Sequence, residues 1–154
     1  LVPPQAIAFS ARSSLAALPA MVEAARTRLG LPGAVTSFTL PLAVTTLRLS
    51  APIMWTVAIP FLARLYGIAM GPEQLVLLIG AGILLSFSVP GLPSGSILVM
   101  GPFITGLGIP IEALGLLIAA DSIPDLLKSV LNVTGHMTSS AVVATRVATP
   151  RRGP

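Results

Sequence analysis

The chain has 154 residues, 54% of them hydrophobic and 9% charged, with a formal net charge of +4 and no cysteine. Soluble domains carry roughly 25% charged residues, so this composition excludes an ordinary surface in water, and it is equally far from the polar compositions that stay disordered. The scattered basic residues exclude a nucleic-acid stripe, and the missing cysteines exclude disulfides, thiolate metal sites and thiol nucleophiles. What remains is an all-α integral membrane protein.

The chain opens Leu1-Val2-Pro3-Pro4, without an initiator Met or a basic leader, and reads as a segment of a longer protein that begins inside an element. Residues 1–29 read as the second arm of a helical hairpin. Arg12-Ser13-Ser14 forms its tip and a helix runs from Leu15 to about Arg28, with Ser13 or Ser14 as cap and Pro19 in its first turns. Residues 31–70 come next, and the 39 residues from Leu31 to Ala69 would make one straight helix of ~58 Å, too long for any bilayer. Pro52 disfavours helical geometry at Ala51, so a break is predicted at Arg48-Leu49-Ser50-Ala51-Pro52, giving a broken transmembrane helix.

Residues 73–111 contain the charge-free run from Gln74 to Ile111, 38 residues that no helix crosses whole because Ser88-Val89-Pro90-Gly91-Leu92-Pro93-Ser94-Gly95 interrupts them. Each arm, Gln74–Phe87 and Ser96–Ile111, is shorter than the ~20 residues of a span, which describes a re-entrant hairpin with a Pro/Gly tip. Residues 112–149 form a last helix, longer than one crossing and carrying Pro124, expected to be tilted or interrupted; residues 150–154 are a polar tail. Arg26, Arg28, Arg146, Arg151 and Arg152 on one side, against Arg64 on the other, put the Gly30 turn and the C-terminus in the cytoplasm and Tyr66 at the outer interface.

On the last helix Asp121, Asp125, Lys128, Ser129, Asn132 and His136 recur at spacings of three and four, so they share one face. Charges at membrane depth cost at least ~2.5 kcal/mol each, so this face looks into a cavity or at partner groups. An intrahelical Asp125–Lys128 pair is the plainer reading of two of these residues, and it leaves the rest of the stripe unexplained. Short helices ending near the midplane aim their free N–H and C=O groups at a solute, which is the construction of a transporter core.

These stretches resemble the C-terminal half of the dicarboxylate/amino acid:cation symporter family. The resemblance is carried by Ala8-Phe9-Ser10-Ala11-Arg12-Ser13-Ser14 with Leu18-Pro19, Ser37-Phe38-Thr39-Leu40-Pro41-Leu42, Val89-Pro90-Gly91 and Asp125 to Gly135. It implies the second arm of hairpin one (1–29), broken helix seven (31–70), re-entrant hairpin two (73–111) and helix eight (112–149). It also implies a homotrimer assembled through six earlier helices outside this chain, a plasma (inner) membrane location and an elevator-type alternating-access mechanism. Carried over by position, Ser13 and Ser14 touch substrate, and Val89, Pro90 and Gly91 form the gate. Asp125 receives a substrate amino group, Asn132 and Ser129 lie near a substrate carboxylate, and Asp121 is another acidic position. Lys128 stands where relatives that take acidic amino acids have an arginine, and a lysine keeps the charge without the bidentate fork. The substrate implied is a small anionic or zwitterionic molecule, an amino acid or a dicarboxylate.

The chain departs from the family pattern at its sodium sites. Where the family has Asn-Met-Asp-Gly-Thr, this chain has Leu47-Arg48-Leu49-Ser50-Ala51, and His136 occupies the position of a sodium-binding aspartate. Hard cations need oxygen ligands, and leucine side chains have none. The reading is a built-in cation, Arg48, beside Asp121 or Asp125 in place of sodium, with His136 exchanging protons and no cofactor. The alternatives are a degenerate paralogue that no longer couples and a passive channel. An aspartyl protease, a serine hydrolase and a nucleotide-driven pump are excluded by the placement of both aspartates on one helix and by the missing Gly-x-Ser-x-Gly and phosphate-loop motifs. The chain is not expected to be an enzyme.

Overall fold

Prolines, which have no amide to lose, open most of the helices. In the computed structural model, which describes residues 1–88 and 94–148, α1 (Val2–Ala11) begins with a proline in its first turn, and so does α2 (Leu18–Thr27). Then follow α3 (Gly33–Thr46), α4 (Ser50–Leu65) and α5 (Pro72–Leu85), the last continued by a 3₁₀ turn at Ser86–Ser88. Two short helices, α6 (Gly95–Leu98) and α7 (Gly101–Gly106), precede α8 (Ala113–Ala120) and α9 (Ser122–Ala148). The described residues are all-helical, with no strand among them. Val89, Pro90 and Gly91, the expected gate, and the tail at 150–154 lie outside the described residues.

Several boundaries differ from the sequence reading. Residues 1–29 hold a helix on each side of the Arg12–Ala17 turn, so the segment contains more than a second arm. Its second helix starts at Leu18 rather than Leu15, capped by no side chain; Ser13 Oγ instead accepts the Ala16 N–H at 3.3 Å, within the turn. The break between α3 and α4 falls on Leu47-Arg48-Leu49, ahead of the predicted centre, because Pro52 sits in the first turn of α4, where amides have no intrahelical acceptor. The run Ser96–Ile111 is not one arm, since the Gly101-Pro102 pair starts a separate helix after α6. The last segment divides at Asp121 rather than at Pro124, which falls in the first turn of α9, and the Asp125 N–H still reaches the Asp121 carbonyl at 2.9 Å.

Helix α9 packs along α1 and α3, α2 lies on α3, and α4 lies on α5. Two apolar clusters result. One joins Ala8, Met21, Leu40, Val44, Val133 and Met137; the other gathers around Trp55 with Ile59, Leu62, Ile97, Met100 and Ile104. Trp55 Nε1–H donates to the Ser96 carbonyl at 2.8 Å, tying α4 to α6. The α3–α4 link passes from the first cluster to the second, and the polar residues gather at that passage. Outside, large apolar side chains face outward: Leu84 is 73% exposed, Leu77 70% and Phe38 69%, whereas His136 is fully buried. Gly33–Leu65, taken across the link, is long and apolar enough to cross a membrane.

Candidate functional site

The α9 stripe is buried as a unit. Asp121, Asp125, Ser129, Asn132 and His136 are all within the interior, and Lys128 shows only its edge. The Lys128 ammonium lies 2.7 Å from both carboxylate oxygens of Asp121 and 3.2 Å from Asp125. Two further elements reach the same carboxylates. Arg12, at the α1–α2 turn, donates from Nε to Asp125 Oδ2 at 3.2 Å, and Ser94, before α6, donates its hydroxyl to Asp121 Oδ2 at 3.2 Å. Arg12 and Ser94 are the non-glycine residues with left-handed backbones among those described, φ 51° and 54°. That conformation is strained for residues with a Cβ, and here one strained position delivers a side chain to Asp125 on α9 and the other to Asp121 at the α8–α9 junction.

The α3–α4 link forms the facing wall. Asn132 locks its exit: the Ser50 N–H donates to Asn132 Oδ1 at 3.0 Å, and Asn132 Nδ2–H donates to Ser50 Oγ at 2.9 Å. His136 holds its entrance, with Nε2 2.7 Å from the Leu47 carbonyl. A carbonyl only accepts, so Nε2 carries the proton, and Nδ1, buried, has no hydrogen-bond partner among the described residues. Gly135 makes room for the link, because a Cβ there would run into the Leu49 side chain. Helix α9 is also held by Gln5 Nε2 donating to Thr134 Oγ1 and by Thr39 Oγ1 donating to Ser140 Oγ, each at 2.9 Å.

Arg48 does not stand beside Asp121 or Asp125, as the sequence reading had it. The ion pairs among the described residues join those carboxylates to Lys128 and Arg12, because an amine on the same helix face and a guanidinium at the facing turn arrive first. Arg48 is 6% exposed and donates from Nη1 to Ser14 Oγ, itself buried. Ser14 thus takes part in the cluster, and Ser13 accepts a hydrogen bond within the turn. The intrahelical Asp125–Lys128 pair is present, as one contact of a larger network. Sequence reasoning missed Arg12, Ser94, Ser50 and the Leu47 carbonyl as members of this cluster. Arg12 had a signal, since a charge within an apolar stretch has to find a partner.

The profile of the sodium:dicarboxylate symporter family matches residues 1–146. The chain is 30% identical over 138 residues to the proton/glutamate-aspartate symporter of Escherichia coli K12, covering 90% of this chain and 31% of that protein. It is 29% identical over 143 residues to the human neutral amino acid transporter A, 93% of this chain and 27% of the relative. It is 30% identical over 138 residues to the proton/sodium-glutamate symport protein of Geobacillus stearothermophilus, 90% of this chain and 32% of the relative. The chain therefore spans about a third or less of the length of these relatives, which are symporters and transporters rather than enzymes. With a buried ion-paired ridge inside an apolar exterior, and a match along nearly its whole length, the chain belongs to the sodium:dicarboxylate symporter family of membrane transporters.

Proposed function

We propose that the protein is a secondary active transporter that moves an amino acid or dicarboxylate by elevator-type alternating access, independently of the usual sodium sites. In this reading α1–α2 and α5–α7 are re-entrant hairpins, α3–α4 is a broken transmembrane span, and Val89, Pro90 and Gly91 belong to the gate. The chain contributes the solute-holding part of each subunit of a homotrimer in the plasma (inner) membrane, with its C-terminus cytoplasmic. The observation that carries the reading is the buried ridge Asp121–His136, which meets the Arg12–Ser14 turn and the α3–α4 link inside a helix bundle whose outer surface is apolar. Desolvated charges of this kind are retained in membranes where a solute or ion is handled.

Sodium independence is supported by the side chains at 47–51, where Leu47 and Leu49 bring no oxygen and Arg48 brings a fixed positive charge. Proton exchange falls to His136, whose buried Nδ1 has no hydrogen-bond partner among the described residues while Nε2–H is held by Leu47. The charged group facing it from the link is Arg48; on its own helix Lys128 and Asp125 lie about 12 and 16 Å away along the axis. Uptake of labelled L-aspartate, L-alanine and succinate into proteoliposomes tests the reading. Saturable uptake that persists without sodium and follows an imposed proton gradient is expected. A strict sodium requirement overturns the coupling, and absence of saturable uptake for all three overturns the carrier. The self-neutralised Lys128–Asp121–Asp125–Arg12 network favours a second reading, a non-coupling paralogue, which predicts saturable uptake indifferent to both gradients.

A further inference from the structure

The cluster holds three cations, Arg12, Arg48 and Lys128, against two carboxylates, Asp121 and Asp125. Both carboxylates are spent on Lys128 and Arg12, so the surplus positive charge is that of Arg48. Its guanidinium is buried to 6% exposure, with Nη1 on Ser14 and with Nε and Nη2 lacking any hydrogen-bond partner among the described residues. These two groups are not an arbitrary remainder. Nε–H and the neighbouring Nη2–H form the side-on edge of the guanidinium, two parallel donors at the spacing of the two oxygens of a carboxylate. A buried charge with an unmet donor pair is costly, and a bound carboxylate meets the charge and both donors at once.

We propose that Arg48 is the carboxylate receptor of the site, taking a carboxylate of the transported molecule side-on while Ser14 fixes the guanidinium from the other edge. Lys128, the residue that position alone would choose for this task, is already divided between two aspartates and serves to hold them. The charge count assigns a ligand of net charge −1, which completes the cluster to neutrality: an acidic amino acid or a monocarboxylate, ahead of a dianion or a neutral zwitterion. An apolar groove of about 510 Å³ lies between α4 and α9, lined by Ser50 and Lys128 among apolar residues, and Arg48 is not part of its lining. The inference rests on the reading of the protein as a carrier of carboxylate-bearing solutes, but its test is binding, which does not require turnover.

Calorimetric titration of the purified protein compares acids with their amides: L-aspartate with its α-amide and L-asparagine, then succinamate, a monoanion, with succinamide. In the wild type, amidation of the carboxylate that meets Arg48 is expected to weaken binding by roughly tenfold to a hundredfold. In Arg48→Gln the acids weaken and that acid-to-amide ratio falls towards one. Arg48→Lys keeps the charge without the paired donors, and its ratio falls at least threefold; it stands in if Arg48→Gln does not fold. An unchanged ratio in both variants, or no binding of any of the five compounds to the wild type, overturns the assignment. Binding with the expected ratios but without uptake leaves the assignment standing and removes the carrier reading instead.

Discussion

Lys128 is the residue on which the buried electrostatics turn. Its ammonium touches both Asp121 and Asp125, and Asp121 has no other cation among the described residues. Removing it strands a buried carboxylate with only the Ser94 hydroxyl, and breaking such a pair costs about 3–5 kcal/mol. Lys128→Met is therefore expected to lower unfolding free energy by about that amount in detergent denaturation, with Lys128→Arg close to wild type. A loss below about 1 kcal/mol in Lys128→Met would mean that water, not the ammonium, stabilises Asp121. The sequence made the stripe legible because spacing of three and four places side chains on one face. It could not say which distant groups meet that face: Arg12 and Asp125 are 113 positions apart, and nothing local in either stretch announces the pairing. For the same reason Arg48 was given the partner that Lys128 holds.

Among the elements, the link between α3 and α4 teaches most about what sequence can resolve. Length against bilayer thickness leads to an expected interruption near Ser50, whereas α3 ends at Thr46 and α4 starts at Ser50, a difference that two competing proline effects explain. Pro52 restrains Ala51 but is also tolerated in a first turn, and Asn132 settles the contest by accepting the Ser50 N–H and so fixing where α4 begins. The α6–α7 division was hidden for a related reason, since the Gly101-Pro102 pair looks like the interior of an apolar run until packing against Ile111 gives Gly101 its place. Helix α5 approaches α4 through Gly82, where an added Cβ would sit 3.5 Å from Pro52 Cα and from the Trp55 ring. That is ordinary contact, so Gly82→Ala should be nearly neutral, whereas Gly82→Leu overfills the interface and should cost about 1–3 kcal/mol. Emission from Trp55, the one tryptophan of the chain, checks both: a red shift is expected only in Gly82→Leu.

At the scale of the molecule, the arrangement of Lys and Arg predicts sidedness. Leu29 beside the Gly30 turn and Tyr66 beside the Gly67 turn are both exposed, and they stand at opposite ends of the α3–α4 segment. These 154 residues hold no cysteine, so Leu29→Cys and Tyr66→Cys each add a single reporter to this part of the protein, read against the unsubstituted parent. In intact cells an impermeant maleimide should label Tyr66→Cys and spare Leu29→Cys until the membrane is permeabilised. The reverse order would invert the assigned topology.

The contact between His136 and the Leu47 carbonyl reaches beyond tethering the link. That oxygen is the kind of hard donor an alkali metal seeks, and the imidazole has claimed it first. An arriving metal would have to evict the N–H and leave it stranded in a dry interior, a penalty paid before any coordination begins. Adding sodium should thus leave the melting temperature of the wild type flat. His136→Asp, which releases the oxygen and supplies two more, should acquire a sodium-dependent rise, turning one substitution into a measure of how alkali-metal affinity is withheld by a single competing hydrogen.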